Sequence, residues 1–190
     1  MSCTPSVMPA RRAPRGRLAV AADEGFRLFF PLAAAYAALF PLVWVLGFGL
    51  DLPFARTVPP SLWHAHEMLI GAFGAALIGF LTTAVPEWAD TDPLRGRPLW
   101  VLAGLWGTGR VVGLCGWDGL SAFGMLADLA WMAALLGYLL RLSIQRRTDR
   151  LLAFAFWLAL LAICTAIARL AFLTGDIDRA ATFLHLAGFA

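Results

Sequence analysis

The sequence predicts an all-α fold: a polytopic bundle of transmembrane helices with five full spans and the start of a sixth. Three observations carry this. Hydrophobic residues make up 61% of the chain and the mean hydropathy is +0.75, against about 45–50% apolar for a soluble domain. The excess falls into runs of about twenty residues, the length a helix needs to cross a hydrocarbon core of about 30 Å. The charged residues, 14% of the total, lie mostly between those runs. In lipid every backbone N–H and C=O must be bonded within the protein, which leaves helices or closed barrels. The runs are too long and continuous for barrel strands.

The elements follow in order. Residues 1–25 are a polar lead with Pro5, Pro9, Pro14, Arg11, Arg12, Arg15 and Arg17, expected to be a flexible cytoplasmic tail. No apolar stretch with a small-residue cleavage site follows Arg11-Arg12 promptly, so a twin-arginine signal is discounted. Residues 26–190 form the membrane domain. Spans are expected at about 26–49, 62–85, 99–114, 120–140 and 151–173. A sixth opens near Ala180, and the residues to Ala190 are too few to cross at about 1.5 Å per residue. The expectation is a part of a longer protein, or a chain whose bundle is completed by a second chain or another copy of itself.

Orientation comes from the arginines, which supply every basic side chain except histidine. Arg11, Arg12, Arg15, Arg17, Arg27, Arg95, Arg97, Arg141, Arg146, Arg147 and Arg150 fall on one side if the spans alternate. The other side has only Arg56 and Arg179 in loops, with Arg110 and Arg169 near helix ends. The arginine-rich side, including the N-terminus, is therefore expected to be cytoplasmic. Membrane topology accounts for the net charge of +3, so no nucleic-acid partner is implied. Cys3, Cys115 and Cys164 stand alone, without the spacing of a zinc or disulfide framework. The loop over 86–98 reads as a solvated turn, and several of the eight tryptophans as an interfacial belt.

The three histidines are the residues most able to carry chemistry. His64 and His66 open the second span and His185 lies in the first turns of the sixth, so all three are expected at one depth near the non-cytoplasmic face. Imidazole binds iron, copper or zinc, and the Met68 thioether suits copper(I) or haem iron. His64 and His66 are two apart and point about 200° from each other on a regular helix. On such a helix His64 shares a small-residue face with Gly71, Ala75 and Gly79 and points into the bundle. His66 shares a face with Ile70, Phe73, Leu77 and Phe80, suited to lipid or to a flat porphyrin. Interfacial placement of the rings is the alternative to metal binding. Glu67 either orients an imidazole N–H or reaches the headgroups.

Arg110 and Asp128 each sit inside an apolar run. A short turn near 115–119 brings them to similar depth, and a lone charge in the bilayer is costly enough to favour pairing. The pair either fixes the hairpin or holds Arg110 for a carboxylate such as a haem propionate. Arg169 has the same two options, a carboxylate or the outer headgroups.

The segments Phe26-Arg27-Leu28-Phe29-Phe30, Trp63-His64-Ala65-His66-Glu67-Met68 and Gly79-Phe80-Leu81-Thr82-Thr83-Ala84-Val85-Pro86 resemble the NnrS family. Gly109-Arg110, Asp128-Leu129 and Leu184-His185-Leu186 fit the same pattern. Glu87-Trp88-Ala89-Asp90 departs from the Asn-Trp-Thr-Gly more usual in the family. The resemblance covers the chain after the tail and about the first half of a family member. It implies a bacterial inner-membrane protein that binds haem and copper and takes part in nitric oxide metabolism and protection from nitrosative stress. His64, His66, His185 and Met68 are then the expected metal ligands, and Arg110 a contact to the haem. The competing expectations are a transporter for a metal, haem or small solute, and a structural half that needs a partner. Enzymatic activity stays open.

Overall fold

The computed structural model describes residues 20–50, 59–114 and 118–190. All their regular structure is helical. Helix α1 spans Gly25–Gly49, α2 Pro60–Trp88, α3 Arg97–Leu114, α4 Asp118–Arg146, α5 Arg150–Thr174 and α6 Ile177–Ala187. Residues 1–19 of the expected tail, and most of the turn near 115–119, lie outside the described residues.

Four helices are long and apolar enough to cross a membrane: α2, α5, and the stretches Gly25–Gly47 of α1 and Ala122–Arg146 of α4. The expected count of five crossings and part of a sixth is therefore not carried over. Helix α3 has only 18 residues, and Arg97, Arg110 and several glycines lower its hydropathy. Helix α6 has 11 residues.

Local chemistry sets the boundaries. Pro60 at the first turn of α2 has no N–H to lose, and the Pro59 carbonyl accepts from Leu62 and Trp63, both at 3.0 Å. Pro31 and Pro41 lie inside α1, tolerated where neighbouring helices pack around a transmembrane helix. Helix α5 stops at Gly175, whose φ of 76° is a conformation glycine adopts without steric cost. Asp176 then caps α6 by accepting from the Arg179 N–H at 3.1 Å. That cap starts α6 three residues before the expected Ala180.

Helix α1 packs on α2, α3 on α4, α4 on α5, and α5 on α6, while α6 returns to touch the first turns of α2. The core between them holds Phe29, Ile70, Ile78, Leu99, Trp131, Met132, Leu135 and Leu139. The threonines of the Leu81–Pro86 stretch fasten one end. The Thr83 hydroxyl accepts from the Phe26 N–H at 3.0 Å and donates to the Gly79 carbonyl at 2.8 Å. Gly25 is so close to α2 that a Cβ there would run into the Thr82 Oγ1.

The 86–98 loop is largely exposed, as a solvated turn should be, and two hydrogen bonds tie it down. The Gly96 N–H donates to the Ala22 carbonyl at 2.8 Å and Arg146 Nη2 to the Asp90 carbonyl at 2.7 Å. Two of its backbone groups thus find protein partners, one in the segment before α1 and one on α4. Gly25→Ala is expected to cost about 1–3 kcal/mol through overpacking. Gly104→Ala, with nothing within 4 Å of the new Cβ, should gain about 0.5–1 kcal/mol from helix propensity. Unfolding in detergent measures both, and equal effects would refute the close α1–α2 contact.

Candidate functional site

A carboxylate buried among apolar helices needs compensating charge, and Glu67 shows how this bundle supplies it. Glu67 is 1% exposed. Its Oε2 accepts from the Tyr36 hydroxyl at 2.6 Å and lies 2.9 Å from Arg110 Nε. Its Oε1 is 3.1 Å from His66 Nδ1. Arg110 Nη2 donates to both oxygens of Asp128, at 3.0 and 2.8 Å. His66 Nε2 lies 3.9 Å from Asp128 Oδ2. Arg169 on α5 interacts electrostatically with Asp128 and Glu67, its guanidinium packed over Gly124 of α4. Each of the first five helices thus supplies at least one polar or charged side chain to a single network. Two arginines face two carboxylates, so the charges balance.

Glycines make the room. A Cβ on Gly109 would stand 2.6 Å from Asp128 Oδ1, and one on Gly71 2.5 Å from the Tyr36 ring and 3.2 Å from Arg110 Cδ. These contacts let polar groups from different helices meet at hydrogen-bond distance.

Helix α2 presents His66 and Glu67 inward because Glu67–Phe73 forms a π-turn. The buried side runs through His66, Ile70, Gly74, Ile78, Thr82 and Pro86, in steps of four. Such steps drift by about 40° each on an α-helix. The wider π-turn, with its i→i+5 bonding, takes up part of that drift. Trp106 Nε1 donates to the Gly71 carbonyl within the turn at 2.8 Å. The regular-helix expectation for the two histidines is thereby corrected. His66 is buried, not turned to lipid with Phe73 and Phe80, which are exposed.

The ring of His64, partly exposed, lies instead against α1, 5.8 Å from the Phe40 ring and 4.9 Å from that of Trp44. Met68 lines a shallow groove with Ala33, Ala34 and Ala37 of α1. His185 is exposed and shares a groove with Ala65 and Leu69, so α6 brings it level with the start of α2. The structure therefore joins His66, Glu67, Arg110 and Asp128, with Arg169 beside them, and gives His64, Met68 and His185 other neighbours. Among the described residues no three His, Cys, Asp or Glu side chains form a group able to hold a metal ion. Two imidazole nitrogens, His66 Nε2 and His64 Nδ1, are buried without a hydrogen-bond partner.

Tyr36 and Trp106 were not foreseen as part of this site. Tyr36 is one of two tyrosines, and its hydroxyl in an alanine-rich apolar run was a usable signal, because a buried tyrosine hydroxyl needs a partner.

These features define a helical membrane protein with a charge-balanced ionisable network buried among its helices. The chain belongs to the NnrS family: the family model, described as NnrS protein, matches residues 21–190. No curated protein and no solved structure matches it.

Asp128→Asn should cost about 3–5 kcal/mol, since it leaves two buried arginines facing the single carboxylate of Glu67. Adding Arg110→Gln should cost less than the sum of the single changes. Additive losses in denaturant unfolding would refute the coupling.

Proposed function

We propose that this chain is a haem- and copper-binding protein of the bacterial inner membrane that acts in the nitric oxide and nitrosative-stress response. Family membership supports the reading, and one observation of the structure carries it. The His66 ring is oriented through Nδ1 by Glu67 and leaves Nε2 buried and unpartnered. A metal-bound imidazole has this arrangement: one ring nitrogen held by a carboxylate, the other free to donate its lone pair.

The residues fit a metal held by one imidazole at a time better than a cage of several. His66 is the first ligand in this reading, and His64, Met68 and His185 are the further donors. Arg110 Nη1 has no hydrogen-bond partner and suits a haem carboxylate, with Asp128 and Glu67 holding the guanidinium in place. A bound haem or copper supplies a redox-active centre able to bind a small diatomic ligand. The chain's own part is to orient the imidazole, exclude water and balance charge around it.

In the same reading α3 is a further crossing. Its outward side carries Trp100, Val101 and Val111, which suit lipid, and Arg110 is neutralised inside the bundle. Helix α6 begins another crossing. The arginine-rich loops and residues 1–25 are cytoplasmic, residues 26–190 are the membrane domain, and a second chain or another copy completes the bundle.

Purified protein is expected to show a Soret band and to contain iron and copper by elemental analysis. His66→Ala should lose the Soret band while its helical circular dichroism persists. Apoprotein that takes up neither metal on reconstitution would end this reading.

The buried ionisable network favours one alternative, a transporter for a metal, haem or small solute, because such groups often line transport paths. Solute uptake into vesicles that Asp128→Asn abolishes, without any metal-dependent spectrum, would favour it.

A further inference from the structure

The turn between α4 and α5 carries a cluster of arginines that the buried network does not use. Arg141, Arg147 and Arg150 are exposed and make no ion pair among the described residues. Asp149 is the one acid within this stretch. Arg146, by contrast, is engaged through Nη2 with the Asp90 carbonyl.

Two further observations separate this cluster from an ordinary solvated turn. The first is backbone conformation. Helix α4 ends with the Thr148 N–H on the Ser143 carbonyl at 3.1 Å and the Arg147 N–H on that of Ile144 at 3.4 Å. This closing pattern puts the residue just past the helix in the left-handed region, and Arg147 has φ 49°. Glycine sits there without penalty, whereas a residue with a Cβ pays about 1–2 kcal/mol. An arginine here keeps a guanidinium at a strained position, and such outliers gather at binding sites. The Ser143 hydroxyl, donating to the Thr148 carbonyl at 2.6 Å, braces the turn.

The second is the apolar surface beside the charges. Leu140, Ile144 and Leu152 are 39%, 77% and 44% exposed. Leu140 and Ile144 share the outer face of α4 with Arg141. Cations next to exposed aliphatic side chains, at the end of a membrane-length helix, match a molecule with an anionic head and apolar tails.

We propose that the α4–α5 turn binds an anionic phospholipid. Arg141, Arg147 and Arg150 hold its phosphate, and Leu140, Ile144 and Leu152 hold its acyl chains. A nucleic acid or acidic peptide would leave the aliphatic surface unused. A zwitterionic lipid would bring its own cation against the arginines.

The test uses the full chain in nanodiscs of phosphatidylcholine with or without phosphatidylglycerol, with bound lipid counted by native mass spectrometry. Phosphatidylglycerol should be retained in preference to phosphatidylcholine, and the preference should shrink as salt rises. Each Arg→Gln change at 141, 147 and 150 should weaken it by about fivefold. Arg147→Gly is the informative variant. It should fold with at least wild-type stability, because it relieves the backbone, and still lose about fivefold in lipid preference.

Equal retention of the two lipids would overturn the proposal. So would an undiminished preference in Arg147→Gly or in the triple Gln variant. Release of the lipid by inorganic phosphate at equal phosphate concentration would also overturn it, and would assign the turn to a soluble anion.

Discussion

The guanidinium of Arg110, set between Asp128 and Glu67, is the constraint around which the rest of this bundle is arranged. A permanent cation inside an apolar helical bundle is costly. Its Nη2 meets both oxygens of Asp128 and its Nε lies beside Glu67. Each carboxylate then needs support of its own. Tyr36 and His66 supply it for Glu67, and Arg169 adds positive charge from α5. The glycines at 71 and 109 stand where these side chains must pass close to backbone. Much of the unusual composition of the apolar runs follows from accommodating one arginine.

The π-turn in α2 matters because it decides which imidazole meets that network. A regular helix through Trp63–Phe80 favours His64 as the inward ring and His66 as the outward one. With the turn starting at Glu67, His66 and Glu67 are both inside, and His64 lies against Phe40 and Trp44. The oriented imidazole with a bare Nε2 is a consequence of that local widening. The metal-binding reading rests on this one ring and its carboxylate, together with membership of the NnrS family.

The opposite end of the bundle is joined across its elements by hydrogen bonds to backbone groups. Thr83 joins α1 to α2, the Ala22 carbonyl takes the Gly96 N–H, and Arg146 reaches the Asp90 carbonyl. The unengaged arginines of the α4–α5 turn stand next to this fastening. One end of the molecule therefore combines internal order with exposed arginines.

Sequence alone determined the class. Runs of apolar residues of membrane length can only be helices, so the α-helical bundle, the positions of its six described helices and the pairing of Arg110 with Asp128 were legible from hydropathy and the cost of a lone charge. The family was legible from short motifs. Tertiary structure decided what periodicity cannot express. A π-turn changes the face of every residue before it without any mark in composition. The entry of Glu67 and Tyr36 into the arginine network depends on close approach of α1, α2 and α3 at glycines. The separation of His185 and His64 from His66 depends on how α6 and α1 lie against α2. Hydropathy reports how deep a residue sits along the chain, whereas the direction its side chain takes is settled by which helices pack around it.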